Sequence, residues 1–119
     1  MIDHVSLRVS DFGRSKKFFA AALAPLGYAV LMEFDGAAGL GAGRPDFWLG
    51  QGTAGGPTHV CFGAASRPQV DAFHKAALAA GGRDNGASGL RTHYHPTYYG
   101  AFVLDPDGNN IEAVCHLPA

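Results

Sequence analysis

Displaced by 55 positions, the chain matches itself without a gap. His4-Val5 falls on His59-Val60, Phe18 on Phe73, Leu23 on Leu78 and Gly27 on Gly82. The alanines around Leu23 and Leu78 also coincide, but alanine matches carry little weight in an alanine-rich chain. An unbroken register of this kind marks two copies of one supersecondary unit, about residues 1–55 and 56–119. At 119 residues the copies must share one core as a single domain, because a unit half that size buries too little surface to be stable alone.

Each copy runs strand, helix, then further strands. Residues 3–9 alternate strictly, with Val5, Leu7 and Val9 on one face and His4, Ser6 and Arg8 on the other. A helix follows from about Gly13, capped by Ser10 or Asp11. Its apolar stripe is Phe18, Phe19, Ala22, Leu23 and Leu26, and Pro25-Leu26-Gly27 ends it. Strand-like pieces come next near 28–35, 38–42 and 45–50. In the second copy, 58–64 reads as the first strand and Ser66-Arg67-Pro68-Gln69 as a capping box. Val70, Phe73, Ala77 and Leu78 form that helix's stripe, stopped by Gly81-Gly82. Tyr98–Leu104 and Asn110–His116 read as strands joined by the turn Asp105-Pro106-Asp107-Gly108. The expected fold is α+β: two βαβββ modules whose curled mixed sheet carries helices on one face and leaves the other to line a cavity.

A net charge of −1 supplies no field to attract nucleic acid or an anionic membrane, so neither is expected as a partner. The longest apolar stretch, Phe18 to Leu26, is too short to span a bilayer. With no leader pattern after Met1, a cytoplasmic location is the expectation. Two cysteines, Cys61 and Cys115, are too few for a disulfide framework and read as reduced, buried thiols. His74, beside Lys75 on a helix, reads as solvated surface.

Period-two alternation then sorts the polar side chains. His4, Ser6 and Arg8 face the cavity on the first strand, and His59, Cys61 and Gly63 on its repeat. On the last strand Glu112 faces the same way as Val114 and His116. A carboxylate within an apolar strand is costly to bury without a positive partner. Glu112 could be an edge carboxylate or a partner of Arg8, and a single histidine at a strand start is often structural. Two histidines in repeat register with a carboxylate facing one hollow is instead a metal-site composition with open coordination positions. His116 is a spare candidate ligand.

Three segments carry a family resemblance: Asp3-His4-Val5-Ser6-Leu7-Arg8-Val9, Thr58-His59-Val60-Cys61-Phe62, and Ala101 to Glu112 with its Asp-Pro-Asp-Gly turn before Ile111-Glu112. They resemble the marker segments of the vicinal oxygen chelate superfamily (glyoxalase, bleomycin resistance and dioxygenase proteins). The resemblance implies paired modules around a metal-centred pocket. There a divalent metal (zinc, manganese or iron), held by His4, His59 and Glu112, binds adjacent oxygens of a small substrate and stabilises developing negative charge. Glyoxalase I has a fourth ligand, a glutamate on the last strand of the first module. Trp48 in Asp46-Phe47-Trp48-Leu49 stands in that place, which disfavours glyoxalase I activity and leaves a triad like that of extradiol dioxygenases and fosfomycin-type thiol transferases. The alternative is a metal-free binder of the bleomycin-resistance kind, with Trp48 as an aromatic wall.

Residues 91–99 crowd histidines, tyrosines and an arginine at the entry to a cavity-lining strand. Tyr98 and His95 are the candidates for acid–base or orienting roles. Arg8, Trp48, Cys61, Phe102, Arg91 and His93 are the candidates for substrate binding. So short a chain has sheet edges to cover, and a homodimer is expected, with the site within one chain or shared with its twofold partner.

Overall fold

The computed structural model describes residues 1–119 and shows the repeated order directly. The first module contains β1 (Val5–Val9), α1 (Phe12–Leu23), a 3-10 turn at Ala24–Leu26, then β2 (Ala29–Phe34), β3 (Ala37–Gly41) and β4 (Phe47–Gln51). The second contains β5 (His59–Gly63), α2 (Arg67–Ala79), β6 (Arg83–Leu90), β7 (Tyr99–Leu104) and β8 (Asn110–Cys115). Each module forms a four-stranded mixed sheet, ordered β1-β4-β3-β2 and β5-β8-β7-β6. The first strand pairs parallel to the last in both, and the other pairings are antiparallel. The fold is the expected α+β pair of βαβββ modules, with two separate sheets and no closed barrel. No helix is long and apolar enough to cross a membrane.

Local chemistry explains where the helices begin. Asp11 caps α1, accepting from the Arg14 N–H at 3.1 Å, and Ser66 caps α2, accepting from the Gln69 N–H at 3.3 Å. Gly27 ends the first helical run at φ 86°, a left-handed conformation open to glycine at little steric cost. Phe18, Phe19, Ala22 and Leu23 of α1 and Val70, Phe73 and Ala77 of α2 are buried in one cluster with the inner faces of both sheets. Leu78, expected in that stripe, is exposed, since one residue past Ala77 turns it about 100° around the helix.

Aromatic packing joins the modules. Phe47 of β4 lies edge-on to Phe19 of α1 and to Phe62 of β5, with centroids 5.0 and 5.1 Å away. The helices pack on each other within this shared interior, and the opposite face of each sheet looks outward.

Two expectations need correction, and one strand lies outside what periodicity can read. β6, Arg-Asp-Asn-Gly-Ala-Ser-Gly-Leu, has no apolar alternation and escapes a reading by periodicity, yet it pairs with β7 through an irregular register around Gly86. Cys61 is exposed whereas Cys115 is buried, because alternation along β5 puts Cys61 on the outward face with His59. His74 is half-buried and holds Asp84 at 2.9 Å rather than facing bulk water.

Candidate functional site

Two of the surface hollows hold candidate site residues, one on the outward face of each module. The second is about 430 Å³, lined by His59, Tyr94, Tyr98, Phe102 and Glu112. Register accounts for the grouping: Glu112 sits opposite Cys61 on β5 and opposite Phe102 on β7. Its carboxylate is only 1% exposed. Oε1 meets His59 Nε2 at 2.8 Å, and Oε2 accepts a hydrogen bond from the Tyr98 hydroxyl. Both oxygens are thereby satisfied, as a buried carboxylate requires.

These contacts set the protonation chemistry. Burial, and then the hydrogen bond to Glu112, push the Tyr98 phenol above its usual range, so Tyr98 is a donor that orients the carboxylate. The Cys61 thiol lies against Glu112 and Tyr98 although the residue as a whole is exposed; desolvation and then the Glu112 charge push its pKa up to about 12. Cys61 is therefore held as a thiol and makes a poor nucleophile near neutral pH.

The turn foreseen at 105–108 positions His59. Asp105 accepts from the backbone N–H groups of Asp107 (3.0 Å) and Asn109 (2.7 Å), and Gly108 adopts φ 84°. Asn109 Oδ1 in turn accepts from the Thr58 N–H at 3.0 Å, and the Asn110 N–H bonds the Thr58 carbonyl at 2.8 Å. The residue before His59 is thus fastened to the start of the strand that carries Glu112.

The first hollow, about 380 Å³, is lined by His4, Arg8 and Trp48 among others and shares no residue with the second. Trp48 sits opposite Ser6, just as Glu112 sits opposite Cys61, so the two occupy equivalent positions in the two modules. The indole lies across Gly39, where a Cβ would come 2.8 Å from Trp48 Cζ2, and is parallel to the Phe34 ring at 6.3 Å. His4 Nδ1 bonds Asp3 Oδ1 at 2.9 Å, and its Nε2 has no hydrogen-bond partner within the chain.

The chain thus brings together His59, Glu112, Tyr98, Cys61 and Phe102, and places His4, Arg8 and Trp48 in the other hollow. No three His, Cys, Asp or Glu side chains of one chain come close enough to hold a metal. Among the other candidates, Arg91 is occupied by the carbonyls of Ala87, Gly89 and Gly100 and lies over the Phe102 ring. His93 stacks on Tyr94 in the exposed loop. His95 Nδ1 accepts from the Thr97 N–H at 3.2 Å, and its ring abuts His116, whose own ring abuts Tyr98. His95 and His116 line neither hollow, and Glu112 pairs with His59 rather than Arg8. Tyr94 is a wall residue that periodicity missed, since it belongs to a loop without a period.

As a donor set, the His59–Glu112 pair fits a divalent cation: a half-exposed imidazole and a buried carboxylate already converge on one hollow. His59 Nε2, which meets Glu112 Oε1 at 2.8 Å, is the imidazole atom that would ligate.

Comparisons with known proteins agree with this fold. No curated protein matches the sequence. A glyoxalase/bleomycin resistance protein from Albidiferax ferrireducens T118 is 32% identical over 97% of each chain, with a TM-score of 0.77. A glyoxalase/bleomycin resistance protein/dioxygenase family enzyme from Burkholderia phytofirmans PsJN is 21% identical over 98% of each chain, with a TM-score of 0.76. TioX from Micromonospora sp. ML1 has a TM-score of 0.72 at 19% identity, covering 95% of this chain and 96% of its own; these last two likenesses establish fold alone. The family model of the Glyoxalase/Bleomycin resistance protein/Dioxygenase superfamily matches residues 1–113, and the chain belongs to that superfamily.

Proposed function

We propose that the protein is a metal-dependent enzyme acting on a small substrate with adjacent oxygen donors. Its site is assembled between two copies of the chain, with His59 and Glu112 from one and His4 from the other. The observation that carries this reading is the buried Glu112 carboxylate, aimed with His59 at an outward hollow while the repeat-equivalent His4 lines a different one. A second copy is the simplest source of the third ligand. The edge strand β2 supports such pairing, since Leu31, Met32 and Phe34 are 41, 43 and 57% exposed, more apolar surface than an edge strand usually leaves to water.

A divalent cation bound by such a triad supplies Lewis-acid stabilisation of charge developing on the substrate oxygens. The chain's own residues do the rest. Tyr98 fixes the Glu112 carboxylate and keeps its proton, Phe102 and Tyr94 keep water from one side of the hollow, and Cys61 stays protonated and unreactive beside them. With Trp48 in place of a fourth ligand, no carboxylate from the first module serves as base, which points away from the glyoxalase I reaction and toward ring cleavage or addition of a nucleophile.

A second reading rests on the Trp48–Phe34 shelf: a metal-free binding module that takes a flat molecule. Elemental analysis of protein purified without chelator separates the two. The expected result is near-stoichiometric metal in the wild type and almost none in His59→Ala, a ligand whose loss costs metal affinity directly. A wild type that takes up no zinc, manganese or iron after reconstitution would leave the binding module as the better account.

A further inference from the structure

We infer that the hollow of the first module is a subsite for a planar aromatic carboxylate, its ring stacked on Trp48 and its carboxylate paired with Arg8. This deepens the function proposed above by naming a substrate class, and it rests on that reading only for the hollow's place beside the metal residues.

The Arg8 side chain makes no hydrogen bond or ion pair within the chain, and its stem rests on Gly52, where a Cβ would come 3.5 Å from Arg8 Cδ. A guanidinium offers a planar fork of donors matched to a carboxylate. No Asp or Glu lines the hollow to compete for it, and Ser6 adds a hydroxyl without a partner of its own. The other wall is aromatic, formed by the half-buried Trp48 indole seated on Gly39. About 380 Å³ accommodates a molecule of one or two rings. A single permanent positive charge beside an aromatic shelf matches a flat monoanion better than a phosphate dianion, which needs more donors than line this wall.

The sole tryptophan gives one indole N–H signal, a reporter placed in the hollow itself. Chelator-treated, ¹⁵N-labelled protein is titrated with 4-hydroxybenzoate and with 4-hydroxybenzamide, in the wild type and in Arg8→Gln. The acid is expected to shift the indole signal saturably and to bind about tenfold more tightly than the amide, the gain typical of one charge-assisted contact. In Arg8→Gln the acid should fall to the affinity of the amide, whose own binding stays unchanged and shows that the variant is folded. Equal affinity of acid and amide in the wild type overturns the inference. So does an acid affinity that survives Arg8→Gln, or the absence of a saturable shift with either probe. Because metal is removed throughout, a failed metal assignment leaves this result intact, and the converse also holds.

Discussion

Mixing His4→Ala chains with Glu112→Gln chains is expected to restore metal binding that neither variant has alone. If each site takes His4 from one copy and His59 with Glu112 from the other, a mixed dimer contains one site with both substitutions and one with none. Equal amounts unfolded and refolded together give mixed dimers as half of the population, so metal content returns to roughly a quarter of the wild-type value. A site built within one chain recovers nothing, because every chain in the mixture lacks a ligand. The physical reason to expect recovery lies in the packing. α1 and α2 meet in one interior under the inner faces of both sheets, so the outward faces bearing His4 and His59 belong to separate hollows. Metal measured on the mixture after gel filtration decides the matter, and a value near zero, with both parents metal-free and the wild type loaded, would sink the shared site.

Which parts of this arrangement could be read in the sequence follows from how local the underlying physics is. The repeat equates His4 with His59, and period two puts each on the face away from its helix; the structure places both there. Pairing of β5 with β8 sets Glu112 opposite Cys61, within reach of Tyr98 just before β7, and the Asp105–Gly108 turn between β7 and β8 is written in residue types that favour it. The failures are non-local. β6 is held by β7 and by Arg91 reaching three carbonyls, so nothing in its own polar, glycine-rich residues announces a strand. Arg91 itself looks like a ligand-binding cation until those carbonyls are seen to occupy it. Whether His4 and His59 face one hollow or two depends on how one module packs on the other, and no alternation along a strand encodes that.

The packing between modules is also where a single substitution should do most damage. Phe47→Ala is expected to destabilise the protein by about 3–5 kcal/mol, the usual cost of emptying a buried aromatic site. Phe47 is 2% exposed and touches both Phe19 of its own module and Phe62 of the other, so the cavity opens at the seam. Against a total stability of about 5–15 kcal/mol for a domain, that loss is a fifth or more of the whole. Phe62→Ala provides the sharper comparison, because it removes a ring from the second module while the only tryptophan reports on the first. If the modules share one cooperative core, Trp48 fluorescence and far-UV circular dichroism will trace a single urea transition in both variants, with a lowered midpoint at the same protein concentration. A Trp48 transition that keeps its wild-type midpoint in Phe62→Ala, while circular dichroism shows two steps, would mean that each module folds by itself. The aromatic seam would then be a contact between two finished units. The buried Phe62 ring, held edge-to-face by Phe47 and by the partly buried Tyr28 of the first module, argues for the first outcome, since neither module alone could keep it from water.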